Sequence, residues 1–553
     1  MEEAASNAIV AGLAGSDIFV VSLIITIMLF IGWLAGRSEK STEGFFLGGR
    51  HIPGWAACLS FVATEVSAMT IVGVPADSYR GNWNYAQFFI GSALARVVIA
   101  YLFIPAFFAT RCTSIYEFLL VRFGAGAQYC ATGLFFITRL LASGVRLYIA
   151  ALAVAAILDI PLIWSIVAFT IVPILFIGFG GMRAVIWTSV MQALVFLGAG
   201  WVVLAFLHFN MDGGIWGALS GAFPIGQEAA ARAAASATPA AAAVFTAAAE
   251  GGSRVPYFFN LAWVTGPYEP GSSMAMLHGI FSSPAALWIG ILSGFFVSMG
   301  SFGTDQENVQ RLLTVETRRQ SQRMILWTIA AGGLVLLTYL AIGSGLATWY
   351  ATNVGAVLPE KTDQIFPHFI SNVLPHGLKG LLLGAIILAS IDSPLVSLAT
   401  SAVTDIYKPL IRGDAEDKHY LLVSRCAVVG FGVLLGALAL YFSNFDGILW
   451  VAFKIGGVTF GSMLGVFLYG LMFKATANRA PVYAMIINVV AMAVLLVLIE
   501  KKVLWLAWSW LPIFGTLLTM GLTWAFSLAL GEYKATDRVS DEVLPPALAP
   551  TET

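Results

Sequence analysis

The chain has 553 residues, 59% of them hydrophobic and only 11% charged, with a formal net charge of -1. Soluble domains are about one quarter charged, so this composition excludes a soluble protein and makes the lipid bilayer the main partner. The near-neutral balance, with no basic tract and no base-stacking motif, argues against nucleic acid as a partner.

Runs of about 20 apolar residues, long enough to cross a bilayer as helices, predict about thirteen spans. They lie near 17–36, 54–78, 84–109, 128–158, 160–179, 184–208, 284–304, 324–351, 376–404, 420–441, 447–473, 480–499 and 504–530. The first is too long for a signal peptide and lacks a small-residue cleavage site, so it is expected to stay in the membrane. The second contains FVATEVSAMTIVGVPADSYRG, which sets Glu65 among apolar residues with Gly73 and Pro75 following. The fourth contains FFITRLLASGVRLYIA, whose Arg139 and Arg146 share a helical face. Residues 209–283 include EAAARAAASATPAAAAVFTAAAE, an alanine-rich stretch broken by Pro239 and read as a short external helix or flap. The polar tail from Glu532 is short, which counts against an appended signalling domain. Cys58, Cys112, Cys130 and Cys426 have no CxxC spacing, so neither a zinc site nor a disulfide framework is expected.

With the N-terminus outside, 17 of the 29 Lys and Arg residues fall in loops on the inner side and 7 on the outer. This bias predicts a multi-pass protein of the plasma (inner) membrane with its N-terminus outside and its C-terminus cytoplasmic. The remaining cations, Arg96, Arg139, Arg146, Arg425 and Lys454, lie within spans, as does Glu65. A charge at the bilayer centre costs about 2.5–3.5 kcal/mol on insertion scales and faces a partner or a cavity. Guanidinium forks match carboxylates in two-point contact, so Arg146 and, nearer the end of its span, Arg139 are candidate ligands for an anionic small-molecule substrate. The alternative is that one of them pairs permanently with Glu65 or another carboxylate while the other snorkels. Glu65 itself is expected either to make a gating ion pair with the cations of the fourth span or to act in ion coupling.

The second and seventh spans both carry interruptions, TEVSAMTIVGVP and GFFVSMGSFGTDQENVQR. Irregular backbone at membrane depth is tolerated only where it is buried in protein or lines a cavity. An odd repeat length inverts the second copy, and paired discontinuous helices in inverted repeats mark the midplane site of secondary transporters. The first copy is expected at 54–208 and the second at 284–473. Residues 1–53 hold a leading helix and loop, 209–283 the alanine-rich loop, and 474–553 two terminal helices and a tail.

These segments resemble the sodium/solute symporters, closest to the branch of iodide, monocarboxylate and multivitamin carriers and their bacterial relatives. The resemblance is carried in order by FFLGGRHIPGW, VSAMTIVGVPADSYR, TSIYEFLLVRFG, GGMRAVIWTSVMQ, GTDQENVQRLL and ASIDSPLVSLATSAVTDIYK. It implies an all-α membrane protein with the five-plus-five inverted-repeat fold, one helix before the repeats and two after. It also implies a sodium ion held by the carbonyls of Ala63, Val66 and Ile386 and by side chains at Ala389 and Ser390. Several oxygens without a fixed charge suit such a hard cation, but Ala389 stands where the family usually has a hydroxyl. The polar contacts of the sugar carriers would fall on Thr70, Phe89, Ser298, Ser301 and Phe453, and the two phenylalanines cannot make the hydrogen bonds a hexose demands. The relatives usually have Thr-Asp where this chain has Thr188-Ser189. Asp392, beside Ser393, is expected either to take over that second-ion or coupling role or to be locked to Arg139 or Arg146 for structure.

The function expected is sodium-driven symport of a small organic anion, such as a monocarboxylate or sialic acid, by alternating access. A transporter-like sensor and a sodium symporter of a neutral solute are the alternatives. No span shows a nucleophile with its base, so an enzyme is not expected.

Overall fold

The computed structural model describes residues 13–37, 41–66, 68–79, 83, 85–158, 160–211, 213–220, 278, 280–282, 287–353, 356–359, 364–390, 394–444, 449–473 and 475–535. The alanine-rich stretch lies outside them, as do Asp392 and Ser393. The major helices are α1 (Gly15–Gly36), α2 (Gly54–Glu65), α3 (Ala68–Tyr79), α4 (Tyr85–Thr110), α5 (Ala125–Leu158), α6 (Leu162–Phe209), α7 (Leu287–Gly303) and α8 (Gln306–Leu312). They are followed by α9 (Arg318–Thr352), α10 (Leu378–Ser390), α11 (Leu395–Ser401), α12 (Asp417–Phe442), α13 (Leu449–Met472), α14 (Ala480–Glu500) and α15 (Leu511–Ala529). Shorter helices at Thr42–Leu47, Tyr116–Phe123 and Ile365–Asn372 lie between them.

Ten single helices among the described residues are long and apolar enough to cross a membrane. The pair α2 and α3, bent by 62° at its break, makes one more crossing. The 48-residue α6 would be roughly 72 Å long at about 1.5 Å per residue, more than twice a hydrocarbon core of about 30 Å. It is two crossings joined at Gly181, where φ is 51 and ψ is -143. A shorter apolar helix, α10, adds to these, so the described residues follow the predicted apolar runs in outline. Each crossing satisfies its own backbone, which is why helices are the form these runs take in lipid.

Loop contacts sort into two ends of the bundle. At one end Arg50 donates to the carbonyls of Arg111 and Cys112, Arg183 to that of Gly48, and the Ile52 amide to that of Thr314. At the other, the Asp17 carboxylate accepts from the Gly377 and Gly380 amides, and the Trp83 indole donates to Ser344.

Inside the bundle, α4 and α7 pack backbone to backbone. A Cβ on Gly91 would lie 2.0 Å from the Ile291 carbonyl oxygen, and one on Gly294 would lie 2.2 Å from that of Phe88. Small residues are what allow such approach between membrane helices.

Gly181 carries a testable consequence. Its backbone is in a region open essentially to glycine, and an added Cβ would sit 2.4 Å from the Phe45 carbonyl oxygen. Gly181→Ala should cost about 1–3 kcal/mol in backbone strain alone, and more through the clash. Melting of the detergent-purified variant should fall by several degrees, and an unchanged melting temperature would refute the account.

Candidate functional site

The break in the second crossing is built by the backbone. α2 ends at Glu65, and Val66 turns to extended geometry (φ -82, ψ 109) while its amide still bonds the Val62 carbonyl. A helix C-terminus concentrates carbonyl oxygens and partial negative charge. Ala63 and Val66 are buried there. α10 also ends inside the bundle, with Ile386 and Ala389 buried in its last turns, and it packs against α3. Ser189 is buried on α6, which runs past α2, α10 and α11. Helix C-termini and a buried hydroxyl offer oxygens of the kind that a hard cation takes. The side chains of Ser390 and Phe453 lie outside the described residues, as Asp392 and Ser393 do.

Of the other expected site residues, Thr70 is half-buried on α3 and Ser298 is buried on α7. Ser301 is half-buried, and its carbonyl accepts from the Asn308 amide group at 3.0 Å.

Glu65 is ion-paired, but not with the fourth span. Its Oε2 accepts from Nη2 of Arg96 on α4. The Arg96 guanidinium is fully buried, its carbon 5.4 Å from the ring centre of Phe89 and 5.0 Å from that of Phe302. Of the fourth-span cations expected to answer Glu65, Arg139 is engaged elsewhere: it is buried in ion pairs with both Asp305 and Glu307. In this state Arg139 serves two protein carboxylates, the permanent-pair alternative, rather than standing open to a substrate. Arg146, two turns further along α5, is exposed.

The carboxylates around Arg139 belong to α8. Asp305 caps that helix, its Oδ1 accepting the Glu307 amide at 2.9 Å. Arg311 donates through Nη1 to the Glu307 carbonyl at 2.7 Å and through Nε to Ser60 Oγ of α2 at 3.2 Å. Burial pushes the Glu307 carboxyl up, yet the charges of Arg139, Arg311 and Arg146 hold it below its ordinary value. Around this centre Gln306 bonds the Ile115 amide and the Thr113 carbonyl, while Gln310 bonds the Phe46 carbonyl and Thr400. Asp405, fully buried, accepts from Ser114 Oγ at 2.7 Å, Gln128 Nε2 at 3.0 Å and Thr132 Oγ1 at 3.1 Å.

Asp305, Glu307, Arg311 and Asp405 carry no assigned role in the sequence reading, although GTDQENVQRLL and VTDIYK contain them. The available signal was a polar island of two acids, three amides and an arginine directly after an apolar span. Breaking a buried ion pair from one side costs about 3–5 kcal/mol, because the remaining charge loses its partner. Glu307→Gln and Arg139→Gln should therefore each lower the melting temperature strongly, and the double variant should lose less than their sum. Strict additivity in a double-mutant cycle would show that the two charges act independently.

Comparison with known proteins places this geometry. The model of the sodium:solute symporter family matches residues 45–488, well over half of the chain. The sodium/sialic acid symporter of Proteus mirabilis (strain HI4320) is 27% identical over 476 residues, covering 84% of this chain and 86% of the relative. The human sodium/iodide cotransporter is 27% identical over 478 residues, with 84% and 67% covered. Sodium-coupled monocarboxylate transporter 2 of Bos taurus is 27% identical over 450 residues, with 79% and 64% covered. Among solved structures, a Na+-coupled sialic acid symporter in a substrate-bound outward-open state superposes with a TM-score of 0.75 at 24% identity, over 95% of this chain and all of that one. A nucleobase-cation-symport-1 family transporter follows at a TM-score of 0.51 and 12% identity. The helices thus take the five-plus-five inverted-repeat transporter fold, and the chain belongs to the sodium:solute symporter family.

Proposed function

We propose that the protein couples inward sodium movement to uptake of a small organic anion by alternating access. The observation that carries this reading is the interrupted second crossing, where α2 ends at an extended Val66 inside the bundle of a chain that belongs to the sodium:solute symporters. The relatives that match along most of this chain are named for sialic acid, monocarboxylates and iodide, all anions. Sodium is cargo here, taken by the carbonyls of Ala63, Val66 and Ile386 and the hydroxyl of Ser390, and Ser189, Asp392 and Ser393 are the residues proposed for a second ion or for coupling. The repeats run over 54–208 and 284–473. The end that gathers Arg50, Arg111 and Arg183 faces the cytoplasm, following the distribution of basic residues.

Anion binding depends on sodium for an electrostatic reason. A bound cation near the break offsets the anion's charge in a region of low dielectric, so each ion favours the other.

Uptake of labelled pyruvate and of sialic acid into proteoliposomes tests the reading. An inward sodium gradient should drive accumulation of at least one of them. Full uptake under a proton gradient in sodium-free buffer would overturn the ion assignment. Ala389→Ser, which restores a missing oxygen ligand, should lower the sodium concentration for half-maximal uptake several-fold. An unchanged value would remove Ala389 from the ion site.

A further inference from the structure

The ion pair between Arg96 and Glu65 leaves part of the guanidinium unused. A guanidinium has five N–H donors, and Glu65 engages Arg96 through Nη2 alone. Among the described residues no acceptor is within hydrogen-bond reach of Nε or Nη1, and neither atom touches solvent. Phe89 and Phe302 lie against the guanidinium; aromatic faces attract the cation but give its N–H groups no oxygen. Buried donors are nearly always paired, so the arrangement lacks an acceptor. The two members also differ in access. The Arg96 side chain is fully buried, whereas that of Glu65 is 23% exposed and stands in the last helical turn before the break. Three elements, α2, α4 and α7, meet at this guanidinium.

Resting on the reading of an anion symporter, we propose that Arg96 receives the carboxylate of the substrate and that Glu65 is a built-in stand-in which the substrate displaces. A carboxylate that approaches Arg96 freely makes a two-point contact, which is stronger and more directional than the one-point contact Glu65 makes. The exchange conserves charge at Arg96 and releases one carboxylate. That released group is flanked in sequence by Ala63 and Val66, whose carbonyls are assigned to sodium, and an added negative charge there strengthens cation binding. Sodium and the organic anion then bind cooperatively through one side chain, and linkage makes the effect reciprocal. The geometry selects a substrate with a carboxylate small enough to enter between Phe89 and Phe302, and it rejects the corresponding amide.

The test uses the full chain in proteoliposomes, with sodium-driven uptake of pyruvate and of sialic acid, and pyruvamide as competitor. Sodium binding is followed separately by thermal stabilisation in detergent. Arg96→Lys keeps the charge and loses the fork, and should raise KM at least tenfold while sodium still stabilises the protein. Glu65→Gln removes the stand-in, and should lower KM several-fold while reducing the gain in sodium affinity that substrate confers. The double variant Glu65→Gln with Arg96→Gln replaces the ion pair by two neutral amides, and should fold, bind sodium and no longer prefer pyruvate to pyruvamide. Wild-type KM in Arg96→Lys, or equal rises of KM in Arg96→Lys and Glu65→Gln, would make the pair structural and overturn the inference. Sodium-driven uptake by the wild type keeps the symporter reading intact in that case, whereas its absence for both anions would fail the symporter reading first and this inference with it.

Discussion

Charge that is buried must be answered within the bundle, and the Arg139 centre is where this constraint organises the molecule. One guanidinium on α5 meets two carboxylates of α8, a second guanidinium of α8 reaches Ser60 on α2, and polar side chains of the same short helix reach Phe46, Thr113, Ile115 and Thr400. Segments far apart in sequence are thereby fixed at one end of the protein. The desolvation of so many charges is tolerable only because nearly every group finds a partner at close range. A single unanswered member would leave a charge in a medium that cannot screen it.

The two buried arginine centres differ in kind. Arg139 is answered from two sides by groups that are themselves buried, which describes a lock. Arg96 is answered from one side by a carboxylate that partly faces outward, which leaves room for exchange. The distinction follows from partner count and exposure. It links the break at Val66 and the glycine-mediated approach of α4 to α7.

The crossings were legible in the sequence because bilayer thickness fixes the length of an apolar helix, and composition alone reveals such runs. The interruption at Glu65–Val66 was legible because small and polar residues have no other reason to sit at that depth, whereas in the seventh span the helix runs unbroken through Gly294 and Gly300 and breaks only at its end, after Gly303. Partner choice was not. Glu65 lies within reach of several cations in any folded bundle, and only the packing of α4 against α7, with Arg139 already held by α8, assigns it to Arg96. The four charged residues Asp305, Glu307, Arg311 and Asp405 escaped a role because their significance is three-dimensional: in the chain they are an ordinary polar connection, and in the fold they are the centre of one face. Sequence also gave no means of seeing that Arg146 is exposed while Arg139, on the same helical face, is buried.

The turn at Gly181 has a mechanical meaning. It joins two membrane crossings without a loop, and the neighbouring Gly180 lies so close to α1 that a Cβ on Gly36 would be 2.1 Å from its Cα. A chain reversal of this kind has no slack. The two arms of α6 cannot slide past one another or change their relative depth, and α1 is wedged against the corner they make. This part of the protein is therefore suited to serve as a stator, and rocking between states falls to other segments, with α2, α3 and the break between them foremost.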